Sequence, residues 1–156
     1  MSKRLAGYDY SQPGFYFVTM CTHQHRLVFG SIMNDQMLLR SPGQIAESVL
    51  VTLPKRFAHV KLDAYVIMPN HVHVIIELTD REPTPGCIRV ALWEIIRVFK
   101  ASTTYQIRHS EGKPWFAWQD EYCDAVIRTE VMLRHIRQYI FNNPLHWSED
   151  KLYKRY

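Results

Sequence analysis

Two histidines separated by one residue form the sharpest chemical pattern in the sequence. They lie in the segment PNHVHVIIE, residues 69–77. Alternate side chains of a strand face the same side, so His71 and His73 would point together with their Cα atoms about 6.6 Å apart. Two imidazoles so placed can bind one divalent cation, although an isolated pair of this kind is more often structural. The Pro-Asn turn before the pair favours a site, because a strand end is open to substrate.

A tyrosine and an asparagine one helical turn apart form a second pattern. His135, Tyr139 and Asn143 fall at i, i+4 and i+8, on one stripe of a predicted helix. The tyrosine is either a structural ring packed on a sheet or a nucleophile, with the Asn143 amide as a further metal ligand. Because Asn143 precedes Pro144, we expect its backbone to leave the α region.

A third set of residues is typical of zinc ligands. Cys21, His23 and His25 alternate at the end of the first predicted strand. Nothing near them in sequence supplies a fourth ligand, so we rank this set second, behind His71 and His73. The three cysteines of the chain are odd in number and scattered, which predicts reduced thiols rather than a disulfide framework.

Basic residues around an exposed aromatic indicate a surface for single-stranded nucleic acid. Arg89, Trp93, Arg97 and Lys100 would share the outer face of a long helix. Further basic side chains, including Arg128 and Arg137, occur towards the C-terminal third. A solvated helix face is the alternative interpretation.

The elements that must position these residues follow from periodicity and turn signals. We predict strands at 15–22, 61–68, 71–78 and 124–128, a hairpin with arms 27–29 and 36–39 around Asn34-Asp35, and helices at 41–56, 87–108 and from the Thr129 cap to a point before Pro144. This order predicts an α+β fold, an antiparallel sheet with helices packed on one face, of the ferredoxin-like or RRM-like kind.

Length and composition bound the class of protein. The 156 residues, 47% hydrophobic and 22% charged, predict one globular domain over residues 1–156. The net charge of +4 permits a nucleic-acid partner. No apolar run is long enough for a membrane span and no signal peptide is evident, so we predict a cytoplasmic protein without a membrane partner. The sequence leaves a homodimer open.

The ordered set of these motifs resembles the REP-associated tyrosine transposases, within the single-tyrosine HUH superfamily. The resemblance covers nearly the whole chain and is carried by the segments GFYFVT at 14–19, CTH at 21–23, YVIMPNHVH at 65–73, RVFKAS at 97–102, WQ at 118–119, VIR at 126–128 and IRQYIFNNP at 136–144. One departure is Ala125, where relatives commonly have a histidine.

The resemblance implies a specific chemistry for these residues. His71 and His73 match the two histidines of the HUH motif, Tyr139 matches the family's nucleophile, and Asn143 matches the polar side chain that completes the metal site. A transposase of this kind would cut and rejoin single-stranded hairpin DNA through a 5′-phosphotyrosine, with Mg²⁺ or Mn²⁺ as its cofactor. Tyr122 is the competing nucleophile.

Three other functions remain compatible with the residues alone. A hydrolytic metallonuclease would use the same histidines to activate water, leaving Tyr139 structural. A non-catalytic RRM-like module would bind nucleic acid on aromatic residues of the sheet. A zinc-stabilised structural protein would depend on Cys21, His23 and His25.

Overall fold

The computed structural model describes residues 4–82, 85–86 and 88–154. Its strands are β1 (Gly14–Cys21), β2 (Gly30–Met33), β3 (Gln36–Leu39), β4 (Val60–Met68), β5 (His71–Leu78) and β6 (Cys123–Ile127). Its α-helices are α1 (Ser41–Arg56), α2 (Leu92–Ser110) and α3 (Glu130–Asn142), and short 3-10 helices span His23–His25 and Trp147–Glu149. No helix of this part of the chain is both long and apolar enough to cross a membrane.

The central sheet has the strand order β4-β5-β1-β6, and each neighbouring pair is antiparallel. The hairpin from β4 to β5 turns at Pro69-Asn70, and its register pairs Met68 with His71. The predicted α+β class with an antiparallel sheet is therefore confirmed.

The helices cover both faces of this sheet, so the prediction of one covered face was wrong. Even-numbered residues of β1 and β5, such as Tyr16 and Val74, pack with α1 and α2 in the main core. Odd-numbered residues, such as Phe17 and Ile75, pack with α3 in a second, smaller cluster. His71 and His73 belong to the odd-numbered set, and therefore lie on the α3 face.

Two predicted boundaries were wrong by more than two residues, while the other strands differ from the prediction by one residue at most at either end. The two-residue turn at Asn34-Asp35, where φ is 49° and 60°, forces pairing to begin at Met33 and Gln36, so the first arm is β2 and not residues 27–29. Helix α2 begins at Leu92, not at Cys87, which lies outside the described residues. Arg89 explains the later start, since its guanidinium donates to the carbonyl oxygens of Ser11 (2.8 Å) and Thr79 (2.6 Å) and holds the preceding segment against the body of the domain.

Candidate active site

The two histidines of β5 lie side by side in the interior. Their ring centroids are 4.5 Å apart, and the side chains of His71 and His73 are buried. In the sheet register they pair with Cys21 and Thr19 of β1, whose side chains share the same face. The sequence prediction that the two imidazoles point together agrees with this geometry.

Each imidazole is oriented by a hydrogen bond through its Nδ1 atom. His71 Nδ1 donates to the amide oxygen of Asn70 at 2.8 Å, and His73 Nδ1 lies 2.7 Å from the Thr19 hydroxyl. The Nε2 atoms of both rings are buried and have no hydrogen-bond partner among the described residues. An imidazole that is protonated on Nδ1 presents a lone pair on Nε2, which is the arrangement found in metal-bound histidines.

Burial keeps both rings neutral. It lowers the pKa of His71 to about 4, against smaller upward effects from Asp150 and Asn143. It also lowers the pKa of His73 well below its ordinary value, and the neighbouring His71 adds to the effect. Near neutral pH both histidines are therefore in the form that binds a cation.

Helix α3 brings the candidate nucleophile to the histidines. Its N-terminus is capped by Thr129, whose hydroxyl accepts from the Met132 amide at 3.1 Å. Nearly three turns after this cap, the Tyr139 ring lies 5.3 Å from the His73 ring and 6.2 Å from that of Phe17. Tyr139 is 48% exposed, so part of the residue is open to solvent while its ring packs on the sheet.

Asn143 faces the same site, although its backbone differs from the prediction. The residue keeps α-helical angles (φ −59°, ψ −41°) despite the following proline, and its backbone N–H donates to the carbonyl oxygen of Ile140. The helical stripe therefore extends to this side chain. Its Oδ1 is buried without a hydrogen-bond partner among the described residues. Hydrogen bonding by the Asn143 side chain raises the pKa of His71 and lowers that of Tyr139, so this side chain is near both groups.

The Tyr139 phenol is protonated near neutral pH. Burial and the Asp150 carboxylate raise its pKa above the ordinary value of about 10, and the Asn143 amide offsets only part of this rise. A phenol with a raised pKa is a poor nucleophile, so a reaction at this oxygen needs help from neighbouring groups.

Asp150 is a site residue that the sequence reasoning missed. It follows the short 3-10 helix after α3, and its Oδ2 lies 3.9 Å from His71 Nε2. Its side chain is only 7% exposed. Because α3 ends before Pro144, no helical periodicity relates Asp150 to Tyr139, and the sequence gives no local signal for this residue.

These side chains form a set of ligands suited to a divalent cation. Among the residues the structure describes, His71, His73 and Asp150 are the one group of histidine, cysteine and acidic residues that could hold a metal, with ligand atoms within 4.8 Å of one another. The unpartnered Oδ1 of Asn143 adds a neutral oxygen. Imidazole nitrogens together with carboxylate and amide oxygens are ligands that proteins use for divalent cations.

The structure does not bring Cys21, His23 and His25 together as a second metal site. The strand ends at Cys21, and the chain then turns through a 3-10 helix in which Gln24 and His25 have positive φ, so the alternation is lost. His25 Nε2 instead lies 3.1 Å from the side-chain nitrogen of Gln119.

The residues predicted to bind DNA on α2 lie across the sheet from the histidines. Trp93, 51% exposed, lines a groove of about 690 Å³ together with Arg97 and Lys100. Arg97 forms a two-pronged ion pair with Glu94. Lys100 donates to three carbonyl oxygens of residues 119–121, and burial lowers its pKa. This ammonium therefore holds the 119–121 segment against α2 and is not free to bind a phosphate.

The other predicted DNA contacts occupy different surroundings. Arg89 precedes the helix and is committed to backbone carbonyls, so its assignment to an exposed helical face was wrong. Arg128 is exposed after β6. Arg137, on α3, forms a two-pronged ion pair with Asp63 at 2.8 and 2.5 Å.

The two remaining positions of interest lie apart. Ala125 pairs with Phe17 on the face of the sheet that carries the histidines, so this departure from the resembled family is close to the site. Tyr122 lines the groove beside α2, where Arg4 and Lys100 lie over its ring. The structure therefore groups Tyr139, and not Tyr122, with the histidines.

Comparison with known proteins identifies the family. Residues 17–143 match the family described as "Transposase IS200 like", so the chain belongs to the IS200-like transposase family and is a DNA-processing enzyme. This confirms the resemblance seen in the sequence. A protein of Haemophilus influenzae, named only "Uncharacterized protein", is 35% identical over 167 residues, which cover 97% of this chain and 92% of that protein.

A solved structure shares the fold. It is the structure of a REP-associated tyrosine transposase bound to a REP hairpin, and it superposes with a TM-score of 0.64 at 20% identity. The match covers 93% of this chain and 73% of the other.

Proposed function

We propose that this transposase cuts and rejoins single-stranded hairpin DNA, with Tyr139 as the nucleophile and a divalent cation held by His71, His73 and Asn143. One observation carries the proposal. Within the part of the chain that the structure describes, two imidazole Nε2 atoms and the Asn143 Oδ1 are buried without hydrogen-bond partners, and the half-exposed Tyr139 ring packs against His73. Buried polar atoms usually have a hydrogen-bond partner, so free ligand atoms on neighbouring side chains are candidates to bind an ion.

The ligands of the proposed site are prepared by their neighbours. Asn70 and Thr19 fix the orientation of the two imidazoles, and burial keeps them neutral. When bound, Mg²⁺ or Mn²⁺ supplies positive charge to a phosphate oxygen and lowers the cost of attack. The protein supplies buried ligand atoms whose orientation is set by these hydrogen bonds.

Tyr139 would carry the covalent step. Its Oη forms a bond to the scissile phosphorus while the bond from phosphorus to the 3′ oxygen breaks. The phenol gives up its proton to solvent, and the departing oxygen becomes a 3′-hydroxyl by taking up a proton. The product is a 5′-phosphotyrosine, whose ester retains the energy of the original bond and can be attacked by a 3′-hydroxyl to rejoin DNA. The fixed position of the ring against His73 and Phe17 suits such repeated attack.

The hairpin substrate is proposed from the resemblance, and the fold shared with the hairpin-bound transposase supports it. A cavity of about 520 Å³ opens beside Tyr139, Asn143 and Asp150 and can accept the backbone near the cut. Trp93 and Arg97 on α2, with Arg128 and Arg137, remain the proposed contacts to the rest of the strand.

Cleavage of a labelled single-stranded hairpin with Mn²⁺ tests this function. His71→Ala or His73→Ala should abolish cleavage while much of the DNA affinity survives, because phosphate contacts dominate affinity. The matched control is His23→Ala, which removes an imidazole outside the site and should retain cleavage. Full cleavage by the His71→Ala/His73→Ala double variant contradicts the proposal. Cleavage by the wild type without a covalent product favours a hydrolytic metallonuclease instead.

A further inference from the structure

The carboxylate of Asp150 faces the imidazole of His71 across a gap that a single cation can fill. The Oδ2 atom lies 3.9 Å from Nε2, too far for a hydrogen bond, and both atoms are shielded from solvent. His71 Nδ1 is engaged with the Asn70 amide oxygen, and His71 Nε2 has no hydrogen-bond partner among the described residues, so a ring nitrogen and a carboxylate oxygen face each other across a gap. A positive charge in the space between them would pair with the carboxylate and accept the lone pair of the ring nitrogen.

We propose that Asp150 is a ligand of the divalent cation, so that this chain holds its metal with two imidazoles, an amide and a carboxylate. The inference rests on the proposed function, which needs a cation at His71 and His73, and adds a ligand from the segment after α3. Two metal–ligand bonds of about 2.1 Å together exceed the 3.9 Å that separates His71 Nε2 from Asp150 Oδ2. One ion can therefore contact both atoms.

The position of the carboxylate is fixed by the backbone around it. Asp150 Oδ1 accepts from the Leu152 amide at 2.7 Å, which leaves Oδ2 directed at His71. The carbonyl of Leu152 in turn accepts from the Asn70 side chain at 2.7 Å. Asn70 also orients the His71 ring, so one amide side chain holds a histidine ligand and the segment that carries the carboxylate.

Aromatic contacts also hold the segment after α3 against the site. The Trp147 ring is buried and lies 6.1 Å from the His71 ring and 5.3 Å from that of Tyr153. The acidic side chain is therefore part of a packed structure and not of a loose tail. Its position before any substrate arrives reduces the ordering needed to bind a cation.

A site that includes the Asp150 carboxylate should bind a divalent cation more tightly than a site made of His71, His73 and Asn143 alone. Two imidazoles and an amide oxygen bind hard cations weakly, so without a carboxylate the metal would depend on DNA phosphates for much of its affinity. Hard divalent ions prefer anionic oxygen ligands. With Asp150 in the set, the protein should bind Mn²⁺ in the absence of DNA, and loss of that one charge should weaken binding at least tenfold.

Titration of DNA-free protein with MnCl₂ tests the inference, with free Mn²⁺ followed by electron paramagnetic resonance. Asp150→Asn keeps the shape of the side chain and an oxygen for the Leu152 amide, and should raise the dissociation constant at least tenfold. Glu149→Gln is the matched control: it removes the same charge one residue earlier, from a side chain that is 78% exposed, and should leave the constant unchanged. Denaturant unfolding of the metal-free variants checks that each is folded.

The remaining outcomes separate the two proposals. Equal Mn²⁺ affinity of Asp150→Asn and the wild type, with binding lost in His73→Ala, overturns the role of Asp150 and leaves the histidine site intact. Failure of the wild type to bind Mn²⁺ without DNA also overturns that role, while the proposed function stands if cleavage still requires Mn²⁺ and both histidines. Unchanged Mn²⁺ affinity in the His71→Ala/His73→Ala double variant overturns both proposals.

Discussion

The packing of α3 on the sheet should control the position of the nucleophile, and Ile140→Ala tests this dependence. Ile140 is 2% exposed and lies in the small cluster with Ile75, Ile127 and Leu133. The substitution removes three buried carbon atoms, worth about 0.8 kcal/mol each, and leaves a cavity, for a total of about 3 kcal/mol. For a chain of this size the loss corresponds to a melting temperature lower by roughly 6–12 °C.

Two measurements on Ile140→Ala test this dependence: the free energy of unfolding and the rate of covalent adduct formation. Denaturant unfolding gives the change in the free energy of unfolding, and the rate of covalent adduct formation with hairpin DNA should fall because Tyr139 precedes the altered residue. Phe141→Ala is the control, since it shortens a larger side chain that is 81% exposed and should change stability by less than about 0.5 kcal/mol. If Ile140→Ala destabilises the protein no more than Phe141→Ala, the described packing of α3 is wrong.

Three further predictions concern other parts of the chain. Trp93→Ala should weaken the binding of single-stranded DNA by roughly 1–3 kcal/mol in a fluorescence anisotropy titration. Unchanged affinity would mean that the α2 groove does not bind DNA. Lys100→Ala should lower the free energy of unfolding more than it lowers DNA affinity, because its ammonium binds backbone carbonyls; the reverse order contradicts that role. Burial lowers the pKa of His59, whose Nε2 donates to the Val90 carbonyl at 3.0 Å. As pH falls, His59 therefore takes up a proton in the unfolded chain before it does so in the folded protein. The folded state consequently loses stability as pH falls below about 6.5, the ordinary pKa of histidine. Unfolding free energies at pH 7.5 and 5 should show a shallower pH dependence for His59→Gln than for the wild type, and equal slopes refute the assignment.

The sheet was predictable because its signals are local. The alternation in β5 fixed its span to the residue, and the turn at Asn34-Asp35 was recognised from its composition. The covering of both faces also had a signal that the prediction did not use. In β1, Phe15 and Phe17 face one side while Tyr16 and Val18 face the other, and a strand that is apolar on both sides needs cover on both.

The remaining features depend on contacts between distant residues. Ile88 is in phase with the buried stripe of α2 but is 83% exposed, because the neighbouring Arg89 is held by carbonyls from two other segments. Asp150 is held near His71 by contacts between distant segments, such as the hydrogen bond from Asn70 to the carbonyl of Leu152, 82 residues away. Neither contact leaves a periodic pattern, so a single sequence could not reveal them.

Covalent trapping of hairpin DNA is the measurement that tests the central claim most directly. Wild-type protein incubated with labelled single-stranded hairpin and Mn²⁺ should give a protein–DNA adduct that survives denaturing electrophoresis, and mass spectrometry should map it to Tyr139. Tyr139→Phe removes only the hydroxyl, so this variant should fold, bind the hairpin and form no adduct. Tyr122→Phe, which alters a ring in the separate α2 groove, should still form it. An adduct formed by Tyr139→Phe, or a wild-type adduct on Tyr122, contradicts the account.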